Sequence, residues 1–150
     1  MKIAIGCDHA GVALKKEILP VLKELSIEWE DFGTDSEEPV DYPDLGEKVS
    51  QAVSDNRVER GILICGTGIG MSIVANKFPG VRAALCRDEY STKMSRLHND
   101  ANLLVLPGRA IEKETAKEIV KIWFTTPFEG GRHQRRIEKI KAIEARLKCQ

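Results

Sequence analysis

The chain has 150 residues, with 23 Lys+Arg against 23 Asp+Glu and 42% apolar content. That length and composition suit one globular domain over residues 1–150 and exclude a disordered chain. The neutral charge balance argues against a nucleic-acid partner, and no apolar run nears the ~20 residues of a membrane span.

Residues 3–7 form a continuous apolar run that starts almost at once, too short and too soon broken by Gly6 for a signal peptide. The reducing cytoplasm is therefore the expected compartment. The four cysteines, Cys7, Cys65, Cys86 and Cys149, hold no CxxC pair, so free thiols are expected rather than a zinc or redox motif.

Leu14, Ile18, Val21, Leu22 and Leu25 then recur at helical spacing. Pro20 lies inside that stripe and, lacking an N–H, should kink or break the helix. Residues 27–32 read as a weaker, more charged strand at a sheet edge. Tyr42-Pro43-Asp44 opens a helix to about Ser54. Strands follow at 61–65, 81–86 and 103–106, with a helix capped by Asp88 reaching about Leu97. Ala116, Ile119, Val120 and Trp123 mark another helical stripe.

Unbroken apolar strands alternating with amphipathic helices predict a doubly wound α/β sandwich on a five-stranded parallel sheet. Glu129-Gly130-Gly131 interrupts the alternation, and an extra helical arm follows over about 130–148. From Arg132 to Lys148 it carries seven Lys/Arg and two Glu, a local basic patch.

Ligands of such sheets bind beyond the carboxyl ends of the strands. Three segments should meet there: Cys7-Asp8-His9-Ala10-Gly11, Cys65-Gly66-Thr67-Gly68-Ile69-Gly70 and Pro107-Gly108-Arg109. The glycine-rich segment presents backbone N–H groups near a helix start, which suits an anion. It is neither a dinucleotide fingerprint, since Met71 stands where the last glycine belongs, nor a P-loop, since Gly70-Met71-Ser72 lacks the lysine. A plain tight turn remains the alternative.

Cys65 stands just before this loop, where N–H donors would favour a thiolate nucleophile or base; a buried structural thiol is the competing reading. Asp8 suits an N-cap, and His9 should point over the same rim. His98 reads most simply as a surface residue at a helix end. Arg132 and Arg136, four apart on one helix face, either grip a phosphate or form a solvated face.

Taken together, Gly6–Gly11, Asp41-Tyr42-Pro43, Ile64–Gly70, Asn76-Lys77, Arg96–Asp100 and Glu129–His133 resemble the ribose/galactose isomerase family. That family holds the B-type ribose-5-phosphate isomerases and the galactose- and allose-6-phosphate isomerases. The resemblance implies reversible aldose–ketose isomerisation of a phosphopentose, ribose 5-phosphate to ribulose 5-phosphate, through a cis-enediolate, with no metal and no organic cofactor; a phosphohexose isomerase of the same family and a non-catalytic phosphosugar-binding module are the alternatives.

It also implies that Cys65 is the base, that Thr67 joins it in catalysis, and that His98 opens the sugar ring. Gly66, Thr67, Gly68 and Gly70 match the family's anion hole. Asp8, His9, Tyr42, Ile69, Asn99, Arg109, Arg132 and Arg136 match substrate-binding positions. The glycine loop would face the reacting end of the sugar, leaving the phosphate to His9 and the arginines.

Topology adds a further expectation. The helix ending near His98 runs antiparallel to the strands, so His98 should lie at the amino rim and Cys65 at the carboxyl rim. A five-residue strand spans ~17 Å, too far for one imidazole. Either the loop at His98-Asn99-Asp100 doubles back or a two-fold partner supplies His98. The second is expected, with sites shared in a homodimer or homotetramer.

Overall fold

The computed structural model describes residues 1–150. Its strands are β1 (Lys2–Cys7), β2 (Glu28–Asp31), β3 (Arg60–Cys65), β4 (Ala83–Leu85) and β5 (Leu103–Pro107). The helices are α1 (Val12–Glu24), α2 (Tyr42–Ser54), α3 (Ile69–Ala75), α4 (Glu89–Leu97), α5 (Lys113–Thr125) and α6 (Arg132–Lys148). A single 3₁₀ turn, His9–Gly11, leads into α1.

All five strands join one parallel sheet in the order β2-β1-β3-β5-β4. Alternate residues of each central strand serve opposite faces. Ile3, Ile5, Ile62, Ile64, Leu104 and Leu106 pack with α1 and α5, while Ala4, Leu63, Leu103 and Val105 pack with Val49, Val53 and Met71 of α2 and α3. Covering both faces is what the unbroken apolar runs require, and burying one such Leu or Ile fully contributes about 1.5–3 kcal/mol.

Both edge strands, β2 and β4, are shorter than the segments 27–32 and 81–86 expected for them. The N–H of Val81 turns back to Phe78 O, so β4 begins only at Ala83. The charged β2 has one neighbour, β1.

Pro20 does not break α1, which runs through it. Pro20 and Lys16, whose carbonyl loses its helical partner, are both exposed, so water can take that bond.

On the α1/α5 face Trp123 is fully buried, with the guanidiniums of Arg60 and Arg96 5.3 and 5.6 Å from its ring centroid. No helix is long and apolar enough to cross a membrane.

One buried cation organises the loop after β2. Lys15 is 1% exposed, and its Nζ donates to Asp31 Oδ2 at 2.7 Å, Thr34 O at 2.8 Å and Asp35 Oδ1 at 2.8 Å. Burial alone would lower its pKa; the hydrogen bonds to Asp31 and Asp35 outweigh burial and raise it above 10.5. Burial pushes the neighbouring Cys7 thiol up to about 11, with Lys15 opposing, and burial also raises Cys86. These two cysteines are protonated core residues.

Candidate active site

The chain leaves β1 toward β2 on one side, while β3 lies on the other, so the order in which strands are added reverses between β1 and β3. The carboxyl ends of these two strands open into a crevice. A cleft of about 460 Å³ occupies that place, lined by Asp8, His9, Tyr42, Cys65, Gly66, Thr67, Ile69, Gly70 and Arg109, together with Ala10 and Ile73.

Each wall has a local cause. Asp8 accepts the Ala10 N–H at 3.0 Å and caps the turn into α1. His9 accepts the Val40 N–H through Nδ1 at 3.2 Å, which puts the neutral ring's proton on Nε2. Gly108 N–H to Cys65 O (2.7 Å) and Arg109 N–H to Gly66 O (3.0 Å) tie the β5 exit to the glycine loop. The Arg109 guanidinium forms no ion pair within the chain.

Cys65 is 4% exposed at the floor of the cleft. Gly68 has φ +77°, the left-handed region that favours glycine, and a Cβ there would strike Leu85. A Cβ on Gly70 would lie 2.5 Å from Tyr42 Cζ, so the phenol end of Tyr42 packs directly against the loop backbone.

The N–H groups of Gly66, Thr67, Gly68 and Gly70 donate to no acceptor in the chain. Thr67 Oγ1 accepts the Ile69 N–H at 3.2 Å, which leaves its hydroxyl hydrogen for another acceptor. The cleft thus assembles a thiol, five donors without acceptors, an imidazole and a guanidinium. That set can remove a proton from carbon and stabilise the resulting oxyanion.

His98, Asn99, Arg132 and Arg136 line no part of this cleft. His98 caps the end of α4, five residues before Leu103, which pairs with Gly61; Cys65 pairs with Pro107 at the opposite strand end. That register separates the rims by ~13 Å along β5 alone.

The loop does not double back. Asn102 N–H bonds Arg82 O, and the Arg82 guanidinium holds the carbonyls of Asn99 and Asp100 at the amino rim. Asn99 instead faces a larger groove, about 640 Å³, between α6 and residues 76–83, which contains no thiol, imidazole or carboxylate pair. Arg132 and Arg136 are exposed on the first turns of α6. A single chain therefore carries the expected site residues as two separate groups.

The second group has members that sequence reasoning left without a role. His98 stacks on His133 with ring centroids 4.1 Å apart, and Glu129 Oε2 lies 3.8 and 3.7 Å from their Nε2 atoms. Burial, then His98 and Arg132, lower the pKa of His133, while Glu129 opposes them. The family resemblance flagged both segments without giving Glu129 or His133 a role; the local signal was the Gly130-Gly131 breaker, whose positive φ angles of 71° and 57° turn the chain back.

The sequence profile of the family described as Ribose/Galactose Isomerase matches residues 3–140. The chain belongs to the ribose/galactose isomerase family. It is an isomerase, as its relatives are named. It is 52% identical over 145 residues to ribose-5-phosphate isomerase B of Escherichia coli, covering 97% of each chain. A ribose-5-phosphate isomerase B structure from Clostridium thermocellum superposes with a TM-score of 0.94 at 52% identity, covering 98% of this chain and 99% of that one. The D-erythrulose-4-phosphate isomerase of Pectobacterium atrosepticum is 43% identical over 152 residues, covering 100% and 99%.

Proposed function

We propose that this isomerase interconverts ribose 5-phosphate and ribulose 5-phosphate in sites shared between two subunits, in the cytoplasm. The observation that carries the reading is the cleft where Cys65 meets the free donors of residues 66–70.

The Cys65 thiolate takes the proton from C2 of the open-chain aldose. The C2–H electrons form the C1=C2 bond, and the carbonyl electrons move to O1. The loop N–H groups and the Thr67 hydroxyl meet the charge as it develops, so they stabilise the transition state more than the ground state. The proton on O2 passes to O1 with the Thr67 hydroxyl as relay, and Cys65 returns its proton to C1. The substrate itself supplies every atom.

His9 and Arg109 take the phosphate side of the cleft. His98 of the partner subunit opens the ring, and Asn99, Arg132 and Arg136 of the partner subunit complete the binding. The two-rim separation supports this division, as do the exposed Ile69 and Ile73 at the cleft mouth, 55% and 56% accessible in one chain. The similarity to an erythrulose-4-phosphate isomerase favours a four-carbon phosphosugar as the second reading. A coupled assay comparing ribose 5-phosphate, erythrulose 4-phosphate and allose 6-phosphate separates the substrates.

Subunit mixing tests the sharing. Cys65→Ala and His98→Ala each remove at least the ~10²–10⁴-fold that general acid–base groups contribute. Dissociated and reassembled together, they form heterodimers with one doubly damaged site and one intact site, so activity reappears. Proven heterodimers no more active than the parents would place both residues in one chain and refute the sharing.

A further inference from the structure

His98 comes from one stretch of the sequence and Glu129 and His133 from another, yet their donor atoms all lie within 4.8 Å of one another. Two backbone features hold the cluster. The Glu129 N–H donates to Leu97 O at 3.0 Å, pinning Glu129 beside the end of α4. The Gly130-Gly131 turn then returns His133 to the same spot on the first turn of α6.

His133 is 4% exposed, and its Nε2 has no hydrogen-bond partner. A buried polar atom without a partner costs free energy unless something else satisfies it. Here that atom faces a carboxylate oxygen and a second imidazole.

We propose that His98, Glu129 and His133 form a divalent transition-metal site of the zinc type. Two imidazoles and one carboxylate select zinc, nickel or cobalt over magnesium or calcium, which prefer all-oxygen sites. On a tetrahedral zinc, with bonds near 2.0–2.2 Å, ligand atoms sit ~3.3 Å apart. The Glu129 oxygen stands at 3.8 and 3.7 Å from the two nitrogens, about half an ångström from that spacing.

The rings are stacked with planes 11° apart, so one must turn before both lone pairs point at one ion. His98 is the one free to turn: it caps a helix and is 36% exposed, whereas His133 is enclosed. Three protein ligands leave the fourth position to water. The functional consequence rests on the proposed role of His98. Metal at this site withdraws the ring-opening imidazole, so zinc inhibits the isomerase without being needed by it.

The test is equilibrium dialysis against zinc chloride of a Cys65→Ser/Cys149→Ser background, which removes the competing thiols of the cleft and the exposed C-terminus. The expected result is one zinc per chain, with affinity at least tenfold weaker after Glu129→Gln or His133→Gln and visible d–d bands when cobalt replaces zinc. Glu129 is 55% exposed, so its variant keeps the test alive if His133→Gln fails to fold. No bound zinc in the background protein, or binding unchanged by Glu129→Gln, overturns the site. A parallel activity titration uses the protein with its cysteines intact. Inhibition relieved by Glu129→Gln supports both the site and the role of His98. Zinc binding by the cluster with undiminished activity keeps the site and overturns that role.

Discussion

Replacing Lys15 by Met keeps the buried stem and deletes only the ammonium. Its bond to Asp31, which is 28% exposed, contributes about 1.5–3 kcal/mol and that to Thr34 O about 1 kcal/mol; the bond to Asp35, 85% exposed, contributes on the order of 0–1 kcal/mol. Against that gross loss stands the recovered cost of burying a charge, several kcal/mol. The net expectation is a loss of about 1–3 kcal/mol from a total of roughly 5–15 kcal/mol, or a fall in Tm of about 4–8 °C for a 2 kcal/mol loss at this chain length. The loop freed by the substitution carries Val40, which sets the His9 tautomer, and leads into Tyr42, so KM should rise as well. Urea unfolding followed by far-ultraviolet circular dichroism measures the stability. Because the folded pKa of Lys15 lies above 10.5, its contribution is complete below that pH and fades as pH rises through the folded value. The gap between wild type and variant should therefore shrink only in strong alkali. A Lys15→Met protein as stable as the wild type at pH 7 would refute the account.

Gly68→Ala forces an L-residue to φ +77° and drives a Cβ into Leu85; a loss of about 2–5 kcal/mol is expected in urea unfolding, from ~1–2 for the backbone and ~1–3 for overpacking. Arg132→Ala or Arg136→Ala should raise KM about tenfold or more, since charge-assisted bonds to phosphate contribute roughly 1.5–3 kcal/mol. Steady-state kinetics should also show these variants losing their preference for phosphorylated over free ribose. His133 has a folded pKa below 6.5, so as pH falls through the unfolded value the unfolded state gains a proton that the folded ring resists. Wild type should lose stability relative to His133→Gln between about pH 7.5 and pH 5.5, measured by paired urea titrations.

The central strands were legible because burial on both faces leaves no polar register: residues 62–64 and 103–106 are apolar throughout and fully buried. The helix stripes were legible for the matching reason, and Ile119, Val120 and Trp123 all point inward. The cleft followed from strand order, since Cys7 and Cys65 end adjacent strands. Lys15 was not legible. Beside Leu14 it reads as an ordinary surface cation, and its partners lie 16 to 20 residues away in a loop without periodicity. Glu129 and His133 were hidden similarly, because their meeting with His98 depends on a glycine turn and one backbone bond. The break expected as one outcome at Pro20 is absent because propensity describes a helix in isolation, whereas the packed face of α1 holds the segment helical.

Trp123, enclosed between two guanidiniums on the α1/α5 face, equips the chain with an optical probe of its own integrity. The only other tryptophan, Trp29, sits half-buried on the edge strand, so Trp29→Phe would isolate a single emitter. Neither indole lines the cleft, so phosphosugar binding there should barely alter the fluorescence, while loss of the core should shift it strongly to the red. Inhibitor screens on this protein can thus separate ligands that occupy the site from compounds that merely unfold it, in one cuvette and without a label.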